Sequence, residues 1–176
     1  MGLIEGLQDQ QAYSIVPYDI QFAQAHCEEL FKISKIIYRN QPSAPCIAHF
    51  YKGQVLFTQA RLEELEGPTQ VSSHKIETLF EEAFKEFAAA KQLSDNLLVP
   101  LDGETQKYRS RSLYASAFIL AKYPLFAHRE TELVQDEEYR VARGIMLEAA
   151  HKQGDLVEVM VELDDKLVRK LHALVG

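Results

Sequence analysis

Apolar residues recur along the chain at intervals of three and four, the spacing that gathers them on one face of an α-helix. Phe22, His26, Leu30, Ile33 and Ile37 form the first such face. Pro17 stands ahead of it, where a helix's first turn tolerates a missing N–H. Residues 40–43 end it, because the residue before Pro42 avoids the α region. Ile47, Tyr51, Val55, Leu62 and Leu65 form a second face, with Ser43 as its cap and Pro45 in its first turn. Segments 46–51 and 54–59 also read as two short strands around Lys52-Gly53. Lys-Gly is a weaker hairpin signal than Asn-Gly, and the unbroken continuation through residues 60–65 favours the helix.

Residues 66–73 read as a loop broken by Gly67 and Pro68. A third helix begins near Ser72 or Ser73 and buries Ile76, Phe80, Ala83, Phe87 and Ala90. Glu77, Glu81, Glu82, Lys85 and Glu86 mark its wet face. A second loop covers residues 95–103. The fourth helix then spans about 104–122, with Leu113, Ala117 and Leu120 on one side, and Pro124 stops it. A fifth covers about 131–153 with Val141, Ala142, Ile145 and Ala149 inward, and Gly154 occupies the place of a left-handed cap. Asp155 and Glu158 form a capping-box-like pair opening the last helix. Along that helix Leu156, Met160, Leu163, Leu167, Leu171 and Leu174 share a face. Residues 157–163 also alternate apolar and polar, as a strand does. A strand followed by a helix would open a ribbon-helix-helix DNA-binding unit, but the chain stops before a second helix. The pattern therefore predicts an all-α fold. About six antiparallel helices pack as helical hairpins in one domain over residues 14–176, behind a leader at 1–13.

Composition agrees with a folded domain. The chain has 176 residues, 47% apolar and 26% charged, enough to bury a core without staples. The net charge of −7 argues against nonspecific binding to nucleic acid or to anionic membranes. No apolar run approaches the ~20 residues that span a bilayer. Two cysteines and no signal peptide point to a reducing, cytoplasmic setting.

Residues 46–93 resemble a tetratricopeptide-type repeat with a lengthened interhelical loop. Gly53 falls where the first helix of such a repeat carries a small residue, and Ala83, Phe87 and Ala90 match the small-aromatic-small spacing of the second. Residues 149–155 resemble the turn between paired helices of that family. The loop at 67–73 departs from its 34-residue period. The resemblance implies a scaffold without cofactors that binds a protein partner or peptide in a groove between hairpins. It further implies membership of a larger complex or a homo-oligomer. The apolar residues Leu171, Leu174 and Val175 near the end, where a repeat array usually carries a polar cap, point to a fragment or an oligomer contact.

The basic residues narrow the choice of groove. Lys107, Arg109 and Arg111 open the fourth helix with Tyr108 and Tyr114 among them, and Arg140 and Arg143 lie one turn apart on the fifth. Lys107, Tyr108, Arg111, Tyr114, Arg140 and Arg143 are the candidate partner-binding set, suited to an acidic peptide. Two rival chemistries are weaker. Glu148 and His151 have the i, i+3 spacing of carboxylate-bridged di-iron bundles, and a helical-bundle metalloenzyme would be built on them, but the second copy such a site needs is missing. Cys46, His49, His26 and Cys27 supply soft ligands, yet the adjacent His26-Cys27 pair is poorly placed for one ion. No phosphate-binding glycine loop or nucleophile elbow occurs.

Overall fold

A computed structural model describes residues 20–38, 41–67, 70–98, 101–130 and 133–175. The leader at 1–13 and Pro17 lie outside these. The described residues form α1 (Ile20–Ile37), α2 (Ala44–Leu65), α3 (Gln70–Asp95), α4 (Gly103–Lys122), α5 (Glu137–His151) and α6 (Leu156–Val175). Short 3₁₀ segments at Pro124–Arg129 and Leu133–Gln135 link α4 to α5. The all-α expectation holds. Among the described residues there is no strand: 46–59 lies within α2 and 156–163 within α6, so the hairpin and ribbon readings fall.

Local chemistry accounts for the helix starts. The Asp102 carboxylate accepts the Thr105 N–H at 2.7 Å, and Asp136 accepts the Tyr139 N–H at 3.1 Å. Asp155 accepts from Val157 N–H at 2.9 Å to open α6. Ser43 makes no side-chain cap bond, so the start of α2 rests on Pro45 in its first turn. The α5–α6 turn differs from expectation by one residue. Gln153 takes the left-handed conformation (φ 57°), and Gly154 instead donates its N–H to the Ala149 carbonyl at 2.7 Å.

The tightest pairing is α2 against α3. A Cβ on Gly53 would come 2.7 Å from the Phe87 ring, so only glycine lets that ring lie on the α2 backbone. Phe50 and Phe57 lie against that ring with centroids 6.1 and 6.5 Å away, and Phe80 and Phe118 pack on Phe57 at 5.6 and 5.0 Å. All five residues expected on the inner face of α3 are buried. At the far end Cys46 Sγ contacts Ser94 Oγ at 2.8 Å.

α4 packs against α2, α3, α5 and α6, and residues 110–120 are all buried. Its polar residues are satisfied internally. Ser112 and Ser116 donate to the carbonyls one turn back, each at 2.8 Å.

Two of the expected faces are rotated. α1 buries Ala23, Cys27, Leu30 and Ser34, leaving Phe22 and Ile33 more than a third exposed. α5 buries Tyr139, Ala142 and Met146, with Val141 57% exposed. In α1 small or polar residues sit inward and larger apolar ones outward, whereas α5 turns its larger Tyr139 and Met146 inward.

The chain direction holds a further difference. α1–α2, α2–α3, α3–α4 and α5–α6 are antiparallel, but α4 and α5 run parallel. Arg109 near the start of α4 pairs with Asp136 at the start of α5, and Ala150 near the end of α5 shares a cavity with Phe118 and Ala121 near the end of α4. The 3₁₀ segments carry the chain back along the bundle. Buried Glu130 anchors the return by accepting the Tyr139 hydroxyl at 2.8 Å and pairing with Arg143.

Candidate functional site

The parallel run of α4 and α5 leaves their first halves facing the last half of antiparallel α6. Between the three helices lies an open groove of about 820 Å³. Tyr114, Ala142, Val141, Leu163, Leu167 and Leu171 give it an apolar lining. Lys166 and Lys170 stand on the α6 side, Glu137 and Glu138 on the α5 side, and Leu174 closes one end. Val141 and Leu174 are 57% and 75% exposed. A smaller cavity of about 410 Å³ lies on the other side of Leu171, lined by Glu104, Lys107, Arg111, Val168 and His172.

The wall formed by α6 is held by a buried ion pair. Arg111 Nε and Nη2 donate to the two oxygens of Asp164 at 2.6 and 3.0 Å. This bidentate geometry fixes both position and rotation of the helix. On the opposite wall the Tyr114 hydroxyl bonds Glu138. Burial and the neighbouring Glu138 charge push that phenol well above its usual range, so it stays neutral and donates its proton. Arg109 pairs with Asp95 at 2.8 Å and with Asp136, tying α3, α4 and α5 together. Burial alone would raise the Asp136 carboxyl, but the Arg109 bond and the Tyr139 N–H outweigh it and hold it below the carboxylate range.

The six sequence-derived candidates divide. Tyr114 lines the larger groove, and Lys107 and Arg111 line the smaller cavity. Lys107 also lies over the Tyr108 ring, 5.1 Å from its centroid. Tyr108 is in the core, its hydroxyl 2.8 Å from that of Tyr51. Arg140 and Arg143 are not brought to the groove. Arg140 reaches the Val134 carbonyl at 3.4 Å and Arg143 the Glu130 carboxylate, both on the linker side of α5. Val141 and Ala142, between them in sequence, turn toward the groove. Lys166, Lys170 and Leu174 were missed as site residues. The signal available for Leu174 is the apolar end of α6, which points in the sequence to a fragment or an oligomer contact, and Lys166 and Lys170 carry no signal beyond helical spacing.

The rival chemistries are placed as well. Glu148 pairs with Lys152 at 2.9 Å and His151 is exposed. His49 Nδ1 lies 2.6 Å from Glu86, whose carboxyl burial would raise but the His49 bond and the Lys52 charge hold below its usual range. His26 stacks on Phe22. Cys27 is buried with its thiol pushed up to about 12 by desolvation, far from a reactive thiolate. Among the described residues no three His, Cys, Asp or Glu side chains gather as metal ligands. No helix among them is long and apolar enough to cross a membrane.

No protein-family model matches the chain, and no curated protein or solved structure is similar to it.

Proposed function

We propose that this protein is an interaction module that holds a helix or extended segment of a protein partner in the groove between α4, α5 and α6. The observation that carries the reading is the groove itself, apolar along its floor, rimmed by charge of both signs, with Val141 and Leu174 standing open to water. An apolar trough between helices is the usual receptor for an amphipathic helix. The close packing of α2 on α3 around Gly53 supports the scaffold reading. A reducing, cytoplasmic setting belongs to the same reading, supported by Cys27 and Cys46 both lying buried as free thiols.

Capture from lysate tests it when wild type is compared with Val141→Glu, Leu174→Glu and the pair Arg140→Ala/Arg143→Ala. The two groove variants should each lose the stoichiometric partner and the arginine pair should keep it. Retention of every partner by both groove variants would overturn the assignment of the groove.

A further inference from the structure

The two walls of the groove carry opposite charge, and most of it is unpaired. Successive residues of α6 turn by about 100°, so Leu163, Leu167 and Leu174 share a face, and Lys166 and Lys170 stand one turn apart along its edge. On α5, Glu137 and Glu138 each stand one turn before an apolar lining residue, Val141 and Ala142. Lys166, Lys170 and Glu137 are exposed and form no ion pair among the described residues. Glu138 is engaged by the Tyr114 hydroxyl and lies 3.9 Å from Arg109. Asp102 also lines the groove but is turned to its own helix, where it caps α4. The polar groups that α4 contributes are occupied with each other, since Gln106 donates to Ser110 at 3.2 Å.

We propose that the groove takes a partner's amphipathic helix whose charge is segregated, acidic along the flank that meets α6 and basic along the flank that meets α5. The inference rests on reading the groove as a docking site and names the chemistry of its occupant. The floor decides for a helix. With Gln106 and Ser110 bonded to each other, an extended segment would lay backbone N–H and C=O groups on an apolar floor without partners, whereas a helix satisfies its own. The lysines decide the acidic flank. They stand one helical turn apart, and so do two carboxylates at i and i+4 of a docked helix, so both pairs form together. The α5 wall decides the other flank, because Glu137 and Glu138 attract a basic residue there and repel an acidic one. The α6 wall from Leu163 to Leu174 is about 17 Å long at 1.5 Å per residue, so it covers about three turns of the partner. Turning the helix end for end exchanges its flanks, and the opposed walls therefore also fix the direction in which it lies.

A pair of synthetic helical peptides of about five turns tests this. Both have the same composition and the same apolar stripe. One carries Glu along one flank and Lys along the other, and its control interleaves Glu and Lys along both flanks, so net charge is equal and helicity is matched by circular dichroism. Fluorescence anisotropy in ~50 mM salt should show the segregated peptide binding wild type about tenfold more tightly than the control. Lys166→Glu/Lys170→Glu makes both walls acidic and should bring the two peptides within about twofold of each other. Val141→Glu should lose both. All three positions are exposed, and unchanged circular dichroism of each variant checks that the fold is kept. Equal binding of the two peptides by wild type overturns the proposal. If Val141→Glu then abolishes that binding, the groove reading stands, and if it leaves the binding unchanged, the groove reading falls too. A preference for the segregated peptide that survives Lys166→Glu/Lys170→Glu also overturns the proposal, because the charge being read then lies elsewhere. So does binding of neither peptide up to about 1 mM, in which case capture of a partner that Val141→Glu loses or keeps decides the groove reading separately.

Discussion

The α2–α3 and α5–α6 hairpins are built from helices of similar kind, yet one is closed and the other open. In α2–α3, Gly53 brings the Phe87 ring onto the backbone, and Phe50 and Phe57 fill the space around it. In α5–α6 no aromatic of comparable size sits between the two helices' free ends, and Val141, Leu171 and Leu174 line an open trough instead. The first arrangement spends its apolar surface on its own chain. The second leaves apolar surface for something else, and its α6 wall is held by Met160 and Leu167 in the core together with the Arg111–Asp164 ion pair. The lesson is that similar amphipathic patterns give core or interface according to whether large and small residues meet across the pair.

The largest effect should come from emptying the closed hairpin. Phe87→Ala should lower stability by about 3–5 kcal/mol in urea denaturation, the cost of removing a fully buried ring from a core. A loss below about 1 kcal/mol would mean that α2 and α3 collapse together without the ring. Next comes the ion pair. Arg111→Met strands Asp164 and should cost about 2–4 kcal/mol, at the low end of buried pairs because Asp164 keeps some contact with water. Hydrogen exchange should locate that loss in α6 and leave α2 and α3 protected. Gly53→Ala should cost about 1–3 kcal/mol by overpacking against Phe87, and Phe87→Leu in the same chain should recover part of it.

Smaller effects separate the ends of the comparison further. Glu86 and Asp136 have folded-state carboxyls below their ordinary values of 4.5 and 3.8. Their stabilisation is complete above those values and is lost as pH falls through the lower folded values. Stability measured from pH 6 downward should therefore stay level and then decline in the acid range. Glu86→Gln should flatten that decline. The smallest effect belongs to the open hairpin, where Val141→Glu should change stability by less than about 0.5 kcal/mol while abolishing what the groove binds.

The closed hairpin was legible in the sequence because its signals are local. The five inward positions of α3 recur at helical spacing, and Gly53 stands out as a glycine inside a helix. The start of α5 was not legible: residues 131–153 read as one helix, whereas α5 begins at Glu137 behind the Asp136 cap and a separate 3₁₀ segment covers Leu133–Gln135. The groove was only half legible. Tyr114 stands out in the sequence as an aromatic beside basic residues, whereas Arg140 and Arg143 stand out only for charge, and their partners Val134 and Glu130 come from a linker whose path no local pattern reveals. The rotated faces of α1 and α5 have the same origin. Periodicity finds the most apolar stripe, but tertiary contact selects the side that lets helices approach.

By itself the sequence determined the all-α class, the near-complete set of helices and the inner face of α3, because these depend on spacing within a few residues. On α2 the spacing turns Leu65 inward, whereas Leu65 is 61% exposed and Phe50 and Phe57 are buried. Only the tertiary structure decided that α4 and α5 run parallel, that α4 is surrounded on every side, and that a groove opens beside α6. Those features depend on where Glu130 meets Tyr139 and Arg143, and where Arg111 meets Asp164, 53 positions further along the chain. The Arg111–Asp164 contact forms only once the intervening helices are packed, and the Glu130 contacts depend on how the linker turns back, so helical spacing alone specifies neither.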